Sequence, residues 1–268
     1  MNDSAPEAIA DAPGGVVWAL RDAANEATRH LRAVPRSPEL LVFSALQPIM
    51  FVVLFRYVFG GSIEIPGMSY AQYLVPGIFA QTVLFGSAFT GVGIAEDMSK
   101  GFVDRLRSLP ISPAAVLLGR TFSDLVRNIL TFVIMLGVAF LVDFRFQGGL
   151  VRGLAATALL LAFSYSFSWI QALIGLSVKS VEAANSAGFI WMFPLTFVSS
   201  AFVQTDKMVS AFRWFAEINP FTIVTNASRA LYSGTDPGDT VWQSLLWALG
   251  ITVVFSSLSV RKFLGASN

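Results

Sequence analysis

Residues 73–95 read YLVPGIFAQTVLFGSAFTGVGIA, a run of 23 residues without a charged side chain. A helix needs about 20 mostly apolar residues to cross the hydrocarbon core of a bilayer. In lipid, a single segment can satisfy its backbone hydrogen bonds internally only as a helix. This stretch therefore predicts a membrane-spanning helix and places the chain among membrane proteins.

Five other stretches are long and apolar enough to cross a bilayer. They cover residues 40–59, 114–142, 154–178, 183–202 and 241–260. The composition agrees, because 54% of the 268 residues are hydrophobic and only 13% are charged, against roughly 25% charged in soluble proteins. The sequence thus predicts an all-α, polytopic membrane protein with six transmembrane helices.

The segments that flank these spans have different characters. Residues 1–15 are polar and rich in Pro and Gly, and we predict a disordered tail. Residues 16–36 have helical spacing of apolar positions, which predicts a helix lying in the cytoplasmic interface, with an ordinary soluble surface helix as the alternative. Residues 37–262 then form the transmembrane domain, and 263–268 a short tail.

Residues 203–235 are too polar for a full span and too apolar for a plain loop. The Asn219-Pro220 pair predicts a break between two short helices. These helices form either a re-entrant hairpin within the bundle or an amphipathic pair that lies flat at the outer interface.

The orientation follows from the positive residues. With the N-terminus in the cytoplasm, 11 of the 18 Lys and Arg residues fall in inside segments and 6 in outside segments. Positive residues concentrate on the cytoplasmic side of membrane proteins. We therefore predict that both termini are cytoplasmic.

The connection between the second and third spans predicts a short amphipathic helix at residues 97–110. Phe102 and Leu106 lie four residues apart and share one face, and Pro110 ends the helix. A plain basic loop would explain the arginines but not this ordered apolar face. The segment is therefore a candidate docking surface for a cytoplasmic partner.

Several function classes are excluded by missing residues. The chain has no cysteine and one histidine, His30, so thiolate and multi-histidine metal sites are excluded. No G-x-x-x-x-G-K-[ST] sequence is present to bind the phosphates of a nucleotide. A net charge of +1 offers no basic surplus for nucleic acid. The sequence predicts no catalytic residues.

Polar and aromatic residues inside the spans are candidates to line a substrate path. These are Gln47, Phe51, Phe55, Gln81, Phe85, Phe89, Phe189, Phe193 and Phe197. The alternatives are hydrogen bonds between helices for the glutamines and packing or lipid contact for each Phe. Asp124, flanked by Arg120 and Arg127, predicts a local cluster of ion pairs, with a proton relay as the alternative.

The sequence from Tyr73 to Arg120 resembles the membrane subunit of type-2 ABC exporters, closest to the daunorubicin-resistance type. The resemblance rests on a Pro-Gly at the outer end of the second span, an acidic turn and a Gly-Phe-x-Asp-Arg-x-Arg-x-x-Pro helix. A second motif is Asn219-Pro220 followed by Arg229 and Gly234. The resemblance extends over about residues 17–262.

This resemblance implies a pair of permeases, each docked on a separate ATP-binding cassette subunit that holds ATP and Mg²⁺. It implies coupling to that subunit through Asp97, Lys100, Gly101, Phe102, Asp104, Arg105, Arg107 and Pro110. A homodimer in the bacterial inner membrane would then export a drug, a lipid or a lipid-linked precursor. The alternatives are an ion-coupled secondary transporter and a membrane-embedded enzyme or scaffold.

Overall fold

The computed structural model of the protein describes residues 38–59, 67–101 and 113–265. Within these ranges helices are the only regular elements, which confirms the predicted all-α class. The helices are α1 (Pro38–Leu54, continued by a π-helical turn Phe55–Phe59), α2 (Tyr70–Ser99), α3 (Pro113–Leu141), α4 (Gly149–Gly175), α5 (Val181–Phe197), α6 (Ser210–Ile218), α7 (Pro220–Ser233) and α8 (Thr240–Gly265).

Four of these helices are long and apolar enough to cross a membrane: α2, α3, α4 and α8. Helix α1, which continues through its π-helical turn, is not among these four, and neither is α5. Helix α5 has 17 residues, about 26 Å at the rise of an α-helix. That length is shorter than a hydrocarbon core of roughly 30 Å. The count of six spans therefore stays a prediction for α1 and α5. The proposed interfacial helix, residues 16–36, lies outside the described residues.

Helix α5 ends earlier than the predicted fifth span. We expected it to run to residue 202, but α5 ends at Phe197. Pro194 lies in its last turn and has no N–H to donate to the carbonyl oxygen of Ile190, which weakens the helix near its end. The side chain of Asn219 donates to the carbonyl oxygens of Leu195 and Val198 at 2.7 and 2.9 Å. These carbonyl oxygens at the end of α5 therefore bond to a residue distant in sequence instead of to the N–H groups of another helical turn.

Helix α2 lies at the centre of the bundle. In its most apolar stretch of 18 residues 83% of the residues are buried, against 22–44% in the corresponding stretches of the other three long helices. Helices α3, α4, α5 and α7 pack around it. Ser69 caps its first turn by accepting from the N–H of Gln72. At its other end the chain turns through Gly101, whose φ of +64° is readily adopted only by glycine.

Backbone-to-backbone contact joins α2 and α4. A Cβ atom on Gly175 would collide with the carbonyl oxygen of Gly91, and one on Gly91 would lie 2.7 Å from the carbonyl oxygen of Gln171. Small residues permit such close approach of membrane helices. At this contact the small residues of α2 and α4 thus serve packing within the chain.

We expect Gly175→Ala to lower the free energy of unfolding by about 1–3 kcal/mol, because its Cβ would meet only backbone atoms that cannot rotate away. The measurement is SDS-driven unfolding in mixed micelles. Gly137→Ala in α3 is the matched control, since nothing lies within 4 Å of its Cβ, and helix propensity predicts a gain of up to about 1 kcal/mol. Equal effects at the two positions would contradict the close α2–α4 contact.

The break at Asn219-Pro220 is confirmed. Asn219 accepts from the N–H of Phe221 at 2.8 Å, and Pro220 starts α7. The two short helices differ in their surroundings. Helix α7 packs against α2, α4 and α8, whereas α6 exposes the large apolar side chains of Phe212, Trp214 and Ile218. Re-entry of this hairpin into the membrane stays a prediction.

Candidate functional site

A cavity of about 240 Å³ lies between α1, α2, α3 and α5. Its walls come from the middle of these helices, well away from either end of the bundle. The lining residues are Gln47, Pro48, Phe51, Gln81, Thr82, Phe85, Gly86, Phe89, Arg127, Asn128, Thr131 and Phe189. An apolar, concave site with a few polar groups is the usual form of a small-molecule site in proteins.

Six of the nine predicted path residues line this cavity, and the structure brings together side chains from three separate helices. They are Gln47, Phe51, Gln81, Phe85, Phe89 and Phe189. The ring of Phe85 contacts those of Phe189 and Phe193, each at 5.4 Å between centroids. Their role in a substrate path stays a prediction.

The other three predicted residues, Phe55, Phe193 and Phe197, lie outside the cavity on an aromatic stripe. The stripe runs from Phe193 to Phe197, then to Phe202 and Phe55, with ring centroids 5.3–6.0 Å apart. Phe202 was not predicted, because it follows the end of α5 and has no helical spacing to the other rings. The stripe extends the aromatic surface of the cavity along α5 towards the end of α1.

Helix α3 contributes a polar wall of the cavity. The sequence analysis did not predict that residues of this helix line the site. Asn128 donates to the Val83 carbonyl oxygen and to Ser164 Oγ at 3.3 and 2.9 Å. Gly86 is required opposite, since a Cβ atom on it would collide with the Asn128 amide. Asn128 could have been identified from the sequence, because a polar residue inside a span is a functional candidate by default.

A chain of alternating charges leads from the C-terminal end of α2 to this wall. Arg120 lies 3.4 Å from Asp97 and 3.3 Å from Asp124, and Asp124 lies 2.8 Å from Arg127. The Arg127 guanidinium stacks over the Phe89 ring at 4.5 Å. The predicted cluster around Asp124 is therefore confirmed, and it reaches the cavity through Arg127.

Three of the predicted coupling residues are described, and all lie at this end of α2. Asp97 joins the charge chain, Lys100 bonds the carboxylate of Glu96 one turn earlier, and Gly101 makes the exit turn. The Glu96 hydrogen bond raises the pKa of Lys100, which stays positively charged. The remaining coupling residues, Phe102, Asp104, Arg105, Arg107 and Pro110, lie outside the described residues.

A second polar cluster fixes the opposite end of the bundle. Arg229 of α7 is 8% exposed, and it donates to the carbonyl oxygens of Tyr73 and Ser200, each at 2.9 Å. Its guanidinium also donates to Asn226 Oδ1 and stacks over the Tyr73 ring at 3.9 Å. No carboxylate among the described residues pairs with it. Arg229 therefore attaches α7 to α2 and to the segment after α5.

These features define a class of protein: a polytopic helical membrane protein with an interhelical, ligand-sized cavity and a cluster of charges near the C-terminal end of α2. Comparison with known proteins narrows this class. The family model for ABC-2 type transporters matches residues 27–232. The chain is 30% identical over 235 residues to the daunorubicin resistance ABC transporter permease protein DrrB1 of Streptomyces coeruleorubidus, covering 88% of this chain and 83% of that protein.

More distant relatives carry similar names. The chain is 23% identical over 208 residues to the probable doxorubicin resistance ABC transporter permease protein DrrC of Mycobacterium tuberculosis, covering 77% of this chain and 75% of that protein. It is 27% identical over 214 residues to the putative transport permease ycf38 of Cyanophora paradoxa, covering 74% and 69%. The chain belongs to the ABC-2 type transporter family. Permeases of this kind are the non-catalytic membrane components of ABC transporters, and the family implies an ATP-binding cassette partner.

Proposed function

We propose that this chain is the permease subunit of an ATP-driven exporter in the bacterial inner membrane, with both termini in the cytoplasm. Two copies form the membrane part, and a separate cassette subunit binds ATP and Mg²⁺. The cargo is a hydrophobic or amphipathic compound such as a drug, a lipid or a lipid-linked precursor. The observation that carries this proposal is the aromatic cavity in a chain of the ABC-2 family.

The aromatic stripe supports a pair of permeases. Phe193 and Phe197 on α5 are 43% and 47% exposed, and Met50 and Tyr57 on the first helical segment are more exposed still. Large exposed apolar surfaces mark interaction sites. In a bilayer, lipid covers part of this surface, and a second copy placed against α1 and α5 would enclose the stripe as a path between the two permeases.

The charge chain supports coupling from the cytoplasmic side. It starts at Asp97, beside the exit turn of α2, and ends at Arg127 in the cavity wall. A movement imposed on the segment after Gly101 would therefore reach the cavity through ion pairs and one rigid helix. The alternative of a proton-coupled carrier is weakened, because Asp124 is held between two arginines.

The experiment is to co-express the chain with its candidate cassette subunit and to measure co-purification, permease-stimulated ATP hydrolysis and export from cells. We expect Arg105→Glu combined with Arg107→Glu to lower stimulated hydrolysis and export by about tenfold, because charges that match across an interface become repulsive. The permease itself should still fold.

Arg261→Glu with Lys262→Glu is the matched control. It reverses two charges on the exposed end of α8, on the same side in the predicted topology, and we expect near-normal export. An Arg105/Arg107 double variant with intact export and hydrolysis would overturn the coupling role. A permease that retained no cassette subunit would overturn the exporter itself.

A further inference from the structure

The cavity wall contains a hydrogen-bonding group that the protein does not use. Gln81 lines the cavity and is 2% exposed, and its side-chain Nε2 has no acceptor among the described residues. Leaving a buried donor unpaired costs free energy. Gln171 in α4 differs, because its Nε2 reaches Met192 Sδ at 2.9 Å and its side chain is not part of the cavity wall.

Arg127 adds a second donor to the same space. One of its terminal nitrogens lies 2.8 Å from Asp124, and its plane covers Phe89. This nitrogen, Nη2, is buried, and among the described residues no acceptor forms a hydrogen bond of good geometry with it. Arginine presents five N–H donors and no acceptor. The wall formed by α2 and α3 therefore offers hydrogen-bond donors that an acceptor atom of a ligand can bind.

The remaining walls are aromatic and limit the size of the ligand. Phe51, Phe85, Phe89 and Phe189 surround a volume of about 240 Å³. An apolar protein cavity of roughly 150 Å³ accepts benzene. The volume here is larger by about half, which fits a flat body of two fused rings whose faces contact phenylalanine rings.

We propose that this cavity binds a flat, two-ring apolar body that bears an oxygen acceptor, with the oxygen bound by Gln81 and Arg127. The acceptor is a carbonyl, phenolate or carboxylate oxygen. This inference rests on the proposed export function and names the chemistry of the cargo: an aromatic compound whose hydrogen-bond acceptor, not a positive charge, directs its binding.

The test uses tritiated 2-naphthoate and the purified full-length permease in lipid nanodiscs, with empty nanodiscs as the background. Scintillation proximity reports the bound probe. We expect saturable binding to the wild type and about tenfold weaker binding to Gln81→Met, which keeps the length of the side chain and removes its amide. Gln171→Met is the matched control and leaves binding unchanged.

Competition distinguishes the chemistry of the ligand. The neutral ketone 2-acetonaphthone competes with 2-naphthoate, whereas 2-(aminomethyl)naphthalene competes at least about tenfold more weakly, since the Arg127 charge repels a cation and the unpaired group of Gln81 is a donor. Gln81→Glu places a carboxylate in the wall and reverses this order, so that the amine binds better than the acid.

A second measurement separates ligand binding from structural support. The thermal midpoint of ligand-free Gln81→Met stays equal to the wild type or rises, because Nε2 forms no hydrogen bond that could be lost. A lower midpoint with unchanged binding would assign Gln81 to the fold instead.

Three results would overturn the proposal: 2-naphthoate binding no better than empty nanodiscs, Gln81→Met binding like the wild type, or equal competition by the ketone and the amine. These results are independent of the exporter itself, because the assay contains no cassette subunit. Export by the complex with no probe binding would remove the subsite alone. Probe binding by a permease that never associates with a cassette subunit would remove the proposed function alone.

Discussion

Arg229→Met is expected to lower the free energy of unfolding by about 2–4 kcal/mol, because three hydrogen bonds disappear together in a buried site. The carbonyl oxygen of Tyr73, in the first turns of α2, loses a charged donor, and α7 loses its attachment to α2. Arg229→Lys keeps the charge but offers no planar fork for these acceptors, so we expect an intermediate loss. SDS-driven unfolding in mixed micelles gives both values.

Arg213 provides the matched control. It lies on α6 of the same hairpin and also donates to backbone carbonyl oxygens, those of Thr205 and Asp206. It is more exposed than Arg229, so water replaces its bonds and Arg213→Met should cost less than about 1 kcal/mol. Similar losses at the two arginines would show that Arg229 does not fix the hairpin to the bundle.

Asp124→Asn is expected to cost about 3 kcal/mol of stability and to reduce export. Asp124 is the shared anion of Arg120 and Arg127, and its side chain is 4% exposed. An amide in its place leaves two guanidinium groups close together with less compensating charge, and removing one partner of a buried ion pair is strongly destabilising. Unfolding of the purified variant measures the first effect, and export from cells measures the second.

The position of each residue in the chain of charges predicts a ranking of the stability losses of their variants. Arg127→Met leaves Asp124 paired with Arg120, so it should cost less than Asp124→Asn. Asp97→Asn changes a carboxylate that is 27% exposed and lies 3.4 Å from Arg120, and we expect a loss below about 1 kcal/mol. If Asp97→Asn destabilised the protein more than Asp124→Asn, the cluster would not be centred on Asp124.

Hydropathy predicted most of the fold because long apolar runs permit few structures in lipid. The start of α3 at Pro113 and the break at Asn219-Pro220 were also predictable, since both depend on local backbone chemistry. The end of α5 was not, because Asn219, far along the chain, caps it. Contacts of this kind depend on tertiary packing and leave no periodic signal in the sequence.

The candidate site was likewise predictable from the sequence only in part. The i, i+4 spacing of phenylalanines indicated which faces of α1, α2 and α5 are aromatic, and these faces do meet around the cavity. Spacing alone did not show that α3 closes the site with Arg127 and Asn128, because the rotation of one helix against another is set by packing. Arg229 was visible only as part of a motif, and its burial required the folded structure.

The glycine contact between α2 and α4 has a mechanical consequence. Two helices whose backbones touch at Gly91 and Gly175 cannot part by a small distance without losing that close fit, so we expect them to move as one rigid pair at the centre of the bundle. Among the helices that surround the cavity, α1 and α5 are short and expose much of their surface. We then expect the cavity to open by tilting of α1 and α5 relative to the rigid pair α2 and α4. Cross-links between α1 and α5 should prevent this opening.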